Sequence, residues 1–294
     1  MPHKKPPRNL LQKSRMATTD RTPPLVIPPP ADPDELIRLL RLPRAGLLTD
    51  IDGTIAPIAP TPAAARVDDN ARRALRRLLP RLTLVAALTG RRAAEGAELV
   101  AIPDLPVVGN HGMEMLADGM LTVDPTVAPY AAPVHRVIER LRAAPLPPGT
   151  ILEDKGPTAS VHYRLAPNIP EARATLFALL TPLTAAEGLL LTEGRALIEI
   201  RPPVPVHKGH ALRRIAEDHN LDAIVMFGDD LTDVDAFVML RDLRSAGEVA
   251  GMSVGVVAPD GTAPHEVLTS VDAIATGVTG IAALLTAVAD AFGA

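Results

Sequence analysis

No cysteine occurs anywhere in the chain, which excludes disulfides, thiolate nucleophiles and thiolate zinc sites. Tryptophan is absent too, and two tyrosines and four phenylalanines hold the aromatic content to 2%. With 47% apolar residues and so few rings, the core must be Leu, Val, Ile and Ala. That composition suits buried parallel strands under helices. Positive charge is not in excess, the formal net charge being -4. There is neither a cationic field nor a basic face with interleaved aromatics, so no nucleic-acid partner is expected. No apolar run reaches the roughly 18 to 20 residues of a membrane span, so no membrane partner is expected either. The lack of cysteine accords with a cytoplasmic location.

The first thirty residues carry Lys4, Lys5, Arg8, Lys13 and Arg15, then a proline-rich stretch ending in Pro28, Pro29 and Pro30. They lack the apolar segment and small-residue cleavage site of a secretory leader. They also have little to bury, so residues 1–31 are expected to form a disordered tail.

The remaining length suits a core domain with a smaller one inserted. Short apolar runs at 45–49, 82–88 and 105–109 alternate with helical patterns at 69–79 and 91–100, the signature of parallel crossovers. From 113 to 202 the rhythm changes. Two helical stretches, 132–143 and 170–181, stand among segments of period-two alternation such as 159–164 and 196–200, which predicts an antiparallel sheet. Strand and helix alternation then resumes from His207. The expected fold is α/β: a doubly wound, Rossmann-like parallel core from residues 32–112 and 203–294, interrupted by an α+β cap domain at 113–202.

Four motifs fall at predicted strand ends, where open parallel sheets bind ligands. Asp50-Ile51-Asp52-Gly53-Thr54 sets two carboxylates two residues apart, with a glycine to permit the turn. Thr89-Gly90-Arg91 offers a hydroxyl and main-chain N–H groups at a predicted helix start, a cradle for phosphate. His207-Lys208-Gly209 opens a helix with a lysine. Gly228-Asp229-Asp230-Leu231-Thr232-Asp233 gathers three carboxylates behind an apolar strand, and a hard divalent cation is the usual resolution of such repulsion. In this order and spacing the four motifs read as phosphoryl transfer. Asp50 is the nucleophile and Asp52 the general acid and base. Mg2+ is held by Asp50, Asp229 and the main chain of Asp52. Thr89 and Lys208 bind phosphoryl oxygens, and Asp230 and Asp233 support metal-bound water or Lys208.

The quartet resembles the haloacid dehalogenase-like phosphatases. Three further stretches (Val108 to Glu114, Leu152 to Gly156 with Val161 to Arg164, and Leu197 to Pro202) are similar to the trehalose-6-phosphate phosphatases within them. The resemblance implies that Thr54, Gly90, Arg91 and Gly112 contact substrate, and that His111, Glu153, Lys155, Arg164 and Glu199 grip the sugar. It implies a functional pairing with a trehalose-phosphate synthase. The same motifs also serve a phosphatase for sucrose or glucosylglycerol phosphate, a phosphomutase, or an inactive sugar-phosphate-binding regulator.

Overall fold

The computed structural model describes residues 27–194 and 196–293. The expected tail therefore lies outside the described residues up to position 26.

The chain begins with α1 (Pro33–Leu40), β1 (Ala45–Thr49), α2 (Asp69–Leu78), β2 (Leu84–Leu88), α3 (Ala93–Val100) and β3 (Val107–Gly109). A hairpin follows, β4 (Glu114–Ala117) and β5 (Met120–Val123). Next come α4 (Ala131–Arg142), β6 (Ile151–Asp154), β7 (Ala159–His162), α5 (Ile169–Ala186), β8 (Leu190–Gly194) and β9 (Leu197–Arg201). The chain closes with α6 (Lys208–Asp218), β10 (Ala223–Gly228), α7 (Leu231–Ser245), β11 (Ala250–Val257), α8 (His265–Leu268), β12 (Ala273–Thr276) and α9 (Gly277–Ala291).

Eight strands form one sheet in the order β12-β11-β10-β1-β2-β3-β4-β5. From β1 the chain steps outward through β2 and β3 and later, on the other side, through β10, β11 and β12, all parallel. This is the doubly wound core expected from sequence, with its switch point between β1 and β10. Both faces are covered. Leu47, Val85 and Val225 pack with Leu36 and Leu40 of α1, Leu75 of α2 and Leu285 of α9. Their strand neighbours Leu48, Ala86 and Met226 pack with Leu212 of α6 and Phe237 and Leu240 of α7. Each fully buried Leu contributes about 1.5–3 kcal/mol.

Two boundaries differ from expectation. The β4–β5 hairpin pairs antiparallel to β3 and so extends the core sheet, although it lies within 113–202. At the opposite edge the end of the expected tail is ordered against β12. Ala31 N donates to Ile274 O at 2.8 Å, and Ile274 N donates to Pro29 O at 2.9 Å.

The second sheet is antiparallel, in the order β6-β7-β9-β8. Val161, Ile198 and Ile200 turn one face onto Val137 and Leu141 of α4 and Leu176 and Leu180 of α5. Helix α5 runs past Pro182, beyond the expected stop at 181, because Leu180 and Thr184 remain buried. The other face of this sheet carries Glu153, Ser160, His162, Glu199 and Arg201, and it roofs the site described next.

Candidate active site

At a switch point adjacent loops leave in opposite directions and open a crevice. Asp50 follows β1 and Asp229 follows β10, and Asp50 N donates to Phe227 O at 2.9 Å, joining the two strand ends. Gly53 is required here. Its φ is +90°, and a Cβ would stand 2.0 Å from the Asp229 Oδ2.

Lys208, in the first turn of α6, is almost fully buried. Its Nζ lies 2.6 Å from the Asp50 Oδ1 and 2.7 Å from the Asp233 Oδ1. Burial alone would discharge the amine, but Asp233 and Asp50 hold its pKa well above that of a free lysine. Asp233 is locked from both ends. Its second oxygen accepts from the N–H groups of Asp229 and Asp230 at 3.0 and 3.1 Å, part of the capping box that starts α7. Burial pushes the Asp50 carboxyl well above its ordinary value; Lys208 opposes this shift, and Asp233 and Asp229 reinforce it.

Carboxylate oxygens of Asp50, Asp229 and Asp233 lie within 4.8 Å of one another. Three acids against one ammonium leave negative charge that a hard divalent cation would neutralise. The donor set fits such an ion. With both Asp233 oxygens already accepting, Asp50 and Asp229 would be the carboxylates to hold it.

Thr89 follows β2, and its Oγ1 accepts from Arg91 N at 3.1 Å. Helix α3 begins only at Ala93, and Ala93 N donates to the Glu114 Oε1 at 2.6 Å. One N–H of the helix start is thus taken by a side chain of β4, while Thr89, Gly90 and Arg91 line the cavity. Arg91 holds Asp52 by two nitrogens, Nε at 2.6 Å and Nη2 at 2.7 Å, and donates to Pro62 O at 3.1 Å.

The roof meets the floor through polar contacts. His111 Nε2 lies 3.1 Å from the Glu199 Oε1, and Lys155 Nζ donates to Gly90 O at 2.9 Å. Arg164 donates to Ala59 O at 2.7 Å, and within the roof His162 Nε2 lies 2.8 Å from the Glu153 Oε2. Burial would raise both carboxyls, but His111, Lys155 and Arg201 hold Glu199 well below the usual range. His162 and Lys155 lower Glu153 in the same way. Between floor and roof lies a cavity of about 290 Å³.

The trehalose-phosphatase family model matches residues 48–267, three quarters of the chain and nearly all of both sheets. The chain belongs to the trehalose-phosphatase family. It is 33% identical over 220 residues to an uncharacterised glycosyl hydrolase of Mycobacterium tuberculosis, covering 70% of this chain and 16% of that protein. It is also 33% identical over 221 residues to the trehalose-phosphate phosphatase of Mycobacterium avium, covering 70% of this chain and 52% of that protein. The chain thus spans about half the length of that phosphatase and a small fraction of the hydrolase. The C-terminal domain of a trehalose-6-phosphate phosphatase from C. albicans has the same fold, with a TM-score of 0.72 at 22% identity. That match covers 90% of this chain and 98% of the other.

Most of the residues by which the trehalose-phosphatase family was read from sequence converge here. Asp50, Asp52, Thr89, Gly90, Arg91, His111, Glu153, Lys155, Arg164, Glu199, Lys208, Asp229 and Asp230 all line the cavity. Thr54, Gly112 and Asp233 do not. The Thr54 hydroxyl donates to the Asp229 Oδ1 at 3.4 Å, and Gly112 packs against the main chain of His207. Sequence reasoning missed His162, Arg201 and the loop from Ile58 to Pro62, which also line the cavity. For the first two a signal existed, since they share strand parity with Ser160 and Glu199.

Proposed function

We propose that this protein is a magnesium-dependent phosphatase that releases phosphate from trehalose 6-phosphate through a phosphoryl-Asp50 intermediate. One observation carries the reading. Lys208 joins Asp50 to Asp233 beneath a cavity whose roof is the polar face of the second sheet, bearing Glu153 and Glu199. A phosphoryl group suits the floor, and a ring rich in hydroxyls suits the roof.

On this reading an Asp50 oxygen attacks phosphorus, and the bond from phosphorus to the sugar oxygen breaks. Asp52 gives that leaving oxygen a proton after exchanging a contact with Arg91 for it. Asp52 then takes a proton from water, whose oxygen attacks the phosphorus of the aspartyl phosphate. Phosphate leaves and Asp50 is restored. Lys208 and Thr89 steady the phosphoryl oxygens throughout. Mg2+, held by Asp50, Asp229 and the main chain of Asp52, would neutralise the charge between nucleophile and phosphoryl group when bound.

The same reading divides the chain into a core, residues 32–112 and 203–294 with the β4–β5 hairpin, and a cap formed by the rest of 113–202. Substrate comes from a trehalose-phosphate synthase, the functional partner the reading implies, in the cytoplasm where sugar phosphates are made. Among the described residues no helix is long and apolar enough to cross a membrane.

Phosphate release from trehalose 6-phosphate, glucose 6-phosphate and sucrose 6-phosphate, with and without Mg2+, tests the proposal. Trehalose 6-phosphate should be the fastest, and chelation should stop it. A faster rate on another sugar would overturn the substrate, and full activity after exhaustive chelation would remove the metal.

A further inference from the structure

Residues directly opposite each other on neighbouring strands send their side chains to the same face of the sheet. Ser160 on β7 stands opposite Glu153 on β6 and Glu199 on β9. Its side chain therefore rises between the two carboxylates, both of which line the cavity. The Ser160 Oγ is buried and has no hydrogen-bond partner. A second such atom belongs to a residue that touches Glu199: His111 reaches it through Nε2, while its Nδ1 is buried without a partner. Among the described residues only three buried side-chain polar atoms lack a partner, and these are two of them.

A buried hydroxyl without a partner weakens the free protein and calls for an explanation beyond packing. Its neighbourhood supplies one. In the free site the Glu199 Oε1 is engaged by His111 Nε2, with Lys155 Nζ 3.7 Å away. A sugar hydroxyl donating to Glu199 would compete with those contacts, and Ser160, directly opposite on β7, offers an unused donor.

We infer that Ser160 is a specificity-determining positioning residue, whose hydroxyl bonds Glu199 only when a sugar occupies the roof of the cavity. A hydrogen bond to a carboxylate is stronger than one between neutral groups, so this contact fixes Glu199 as an acceptor for the ring. Formed only with sugar present, it adds to turnover of sugar phosphates and of nothing smaller. The inference rests on the proposed phosphatase activity and refines how that site selects its substrate.

Ser160→Ala tests it with two readouts that move apart. Deleting an unpaired buried hydroxyl leaves Tm unchanged or raises it. In the same variant kcat/KM on the preferred sugar phosphate falls about tenfold, while acetyl phosphate, which has no ring, is hydrolysed as before. An unchanged kcat/KM on the sugar phosphate overturns the inference and leaves a hydroxyl with no part in recognition. A lowered Tm, or an equal loss on acetyl phosphate, overturns it in favour of a structural role. If the wild type prefers a sugar phosphate other than trehalose 6-phosphate, the proposed substrate falls, and Ser160 is judged on the better sugar. A wild type that favours no sugar phosphate over acetyl phosphate overturns both.

Discussion

Arg91 grips Asp52 with two nitrogens, at 2.6 and 2.7 Å, while its third nitrogen holds the main chain of Pro62. A fork of this kind fixes both the position and the plane of a carboxylate, which a point charge such as lysine cannot do. Arg91 was expected to contact substrate, yet its side-chain contacts run to the candidate general acid. Arg91→Lys should therefore lower kcat on trehalose 6-phosphate and acetyl phosphate alike, by about tenfold to a hundredfold. Steady-state kinetics on both substrates check this. A loss confined to the sugar phosphate would instead place Arg91 in substrate recognition.

Asp233 should matter to the fold as much as to the chemistry. It is fully buried, neutralises Lys208 and ties the first turn of α7 to Asp229 and Asp230. Asp233→Ala leaves a buried ammonium short of a partner and removes the capping box, which should destabilise the protein by about 3–5 kcal/mol. Denaturant melts at neutral pH measure it. A change under about 1 kcal/mol would show that Asp50 alone suffices to hold Lys208.

Glu199 gives a prediction in pH. Its folded carboxyl lies well below the ordinary value of 4.5. The folded state thus binds this proton more weakly than the unfolded chain. The resulting stability is fully present above pH 4.5 and is lost as pH falls through and below that value. The Tm gap between wild type and Glu199→Gln should be open at pH 7 and narrow progressively below pH about 4.5. A gap independent of pH would mean that the carboxylate charge does nothing for the fold. The same variant should lose kcat/KM on the sugar phosphate by about tenfold or more while sparing acetyl phosphate.

The sheet edge tests the N-terminal boundary. A chain starting at Asp32 lacks both main-chain bonds to Ile274 and exposes β12, whereas a chain starting at Ile27 keeps them. The shorter chain should melt about 2 to 4 °C lower. Equal melting temperatures would restore the view that residues 27–31 contribute nothing.

The doubly wound core was legible because its strands are continuous apolar runs that end at chemistry-bearing residues, as Leu47 and Leu48 lead to Asp50. The second sheet was legible from period-two alternation at 159–164 and 196–200. Alternation gives two faces but not the neighbour of either, so it does not show that the polar face roofs a cavity, and His162 was overlooked. The β4–β5 hairpin was missed for a related reason: Met120, Leu121 and Val123 are exposed, so no buried face marks it. Contacts set by tertiary approach left no local signal. Arg91 meets Asp52 across 39 residues and Lys155 meets Gly90 across 65.

The most direct test of the account is the covalent step. The protein is mixed with trehalose 6-phosphate and Mg2+, quenched in acid within a single turnover, digested and weighed by mass spectrometry. The peptide containing Asp50 should carry one added phosphoryl group, and Asp50→Asn should show neither that addition nor any turnover. Rapid phosphate release with an unmodified Asp50 peptide at every quench time, or with the addition on another residue, would contradict it.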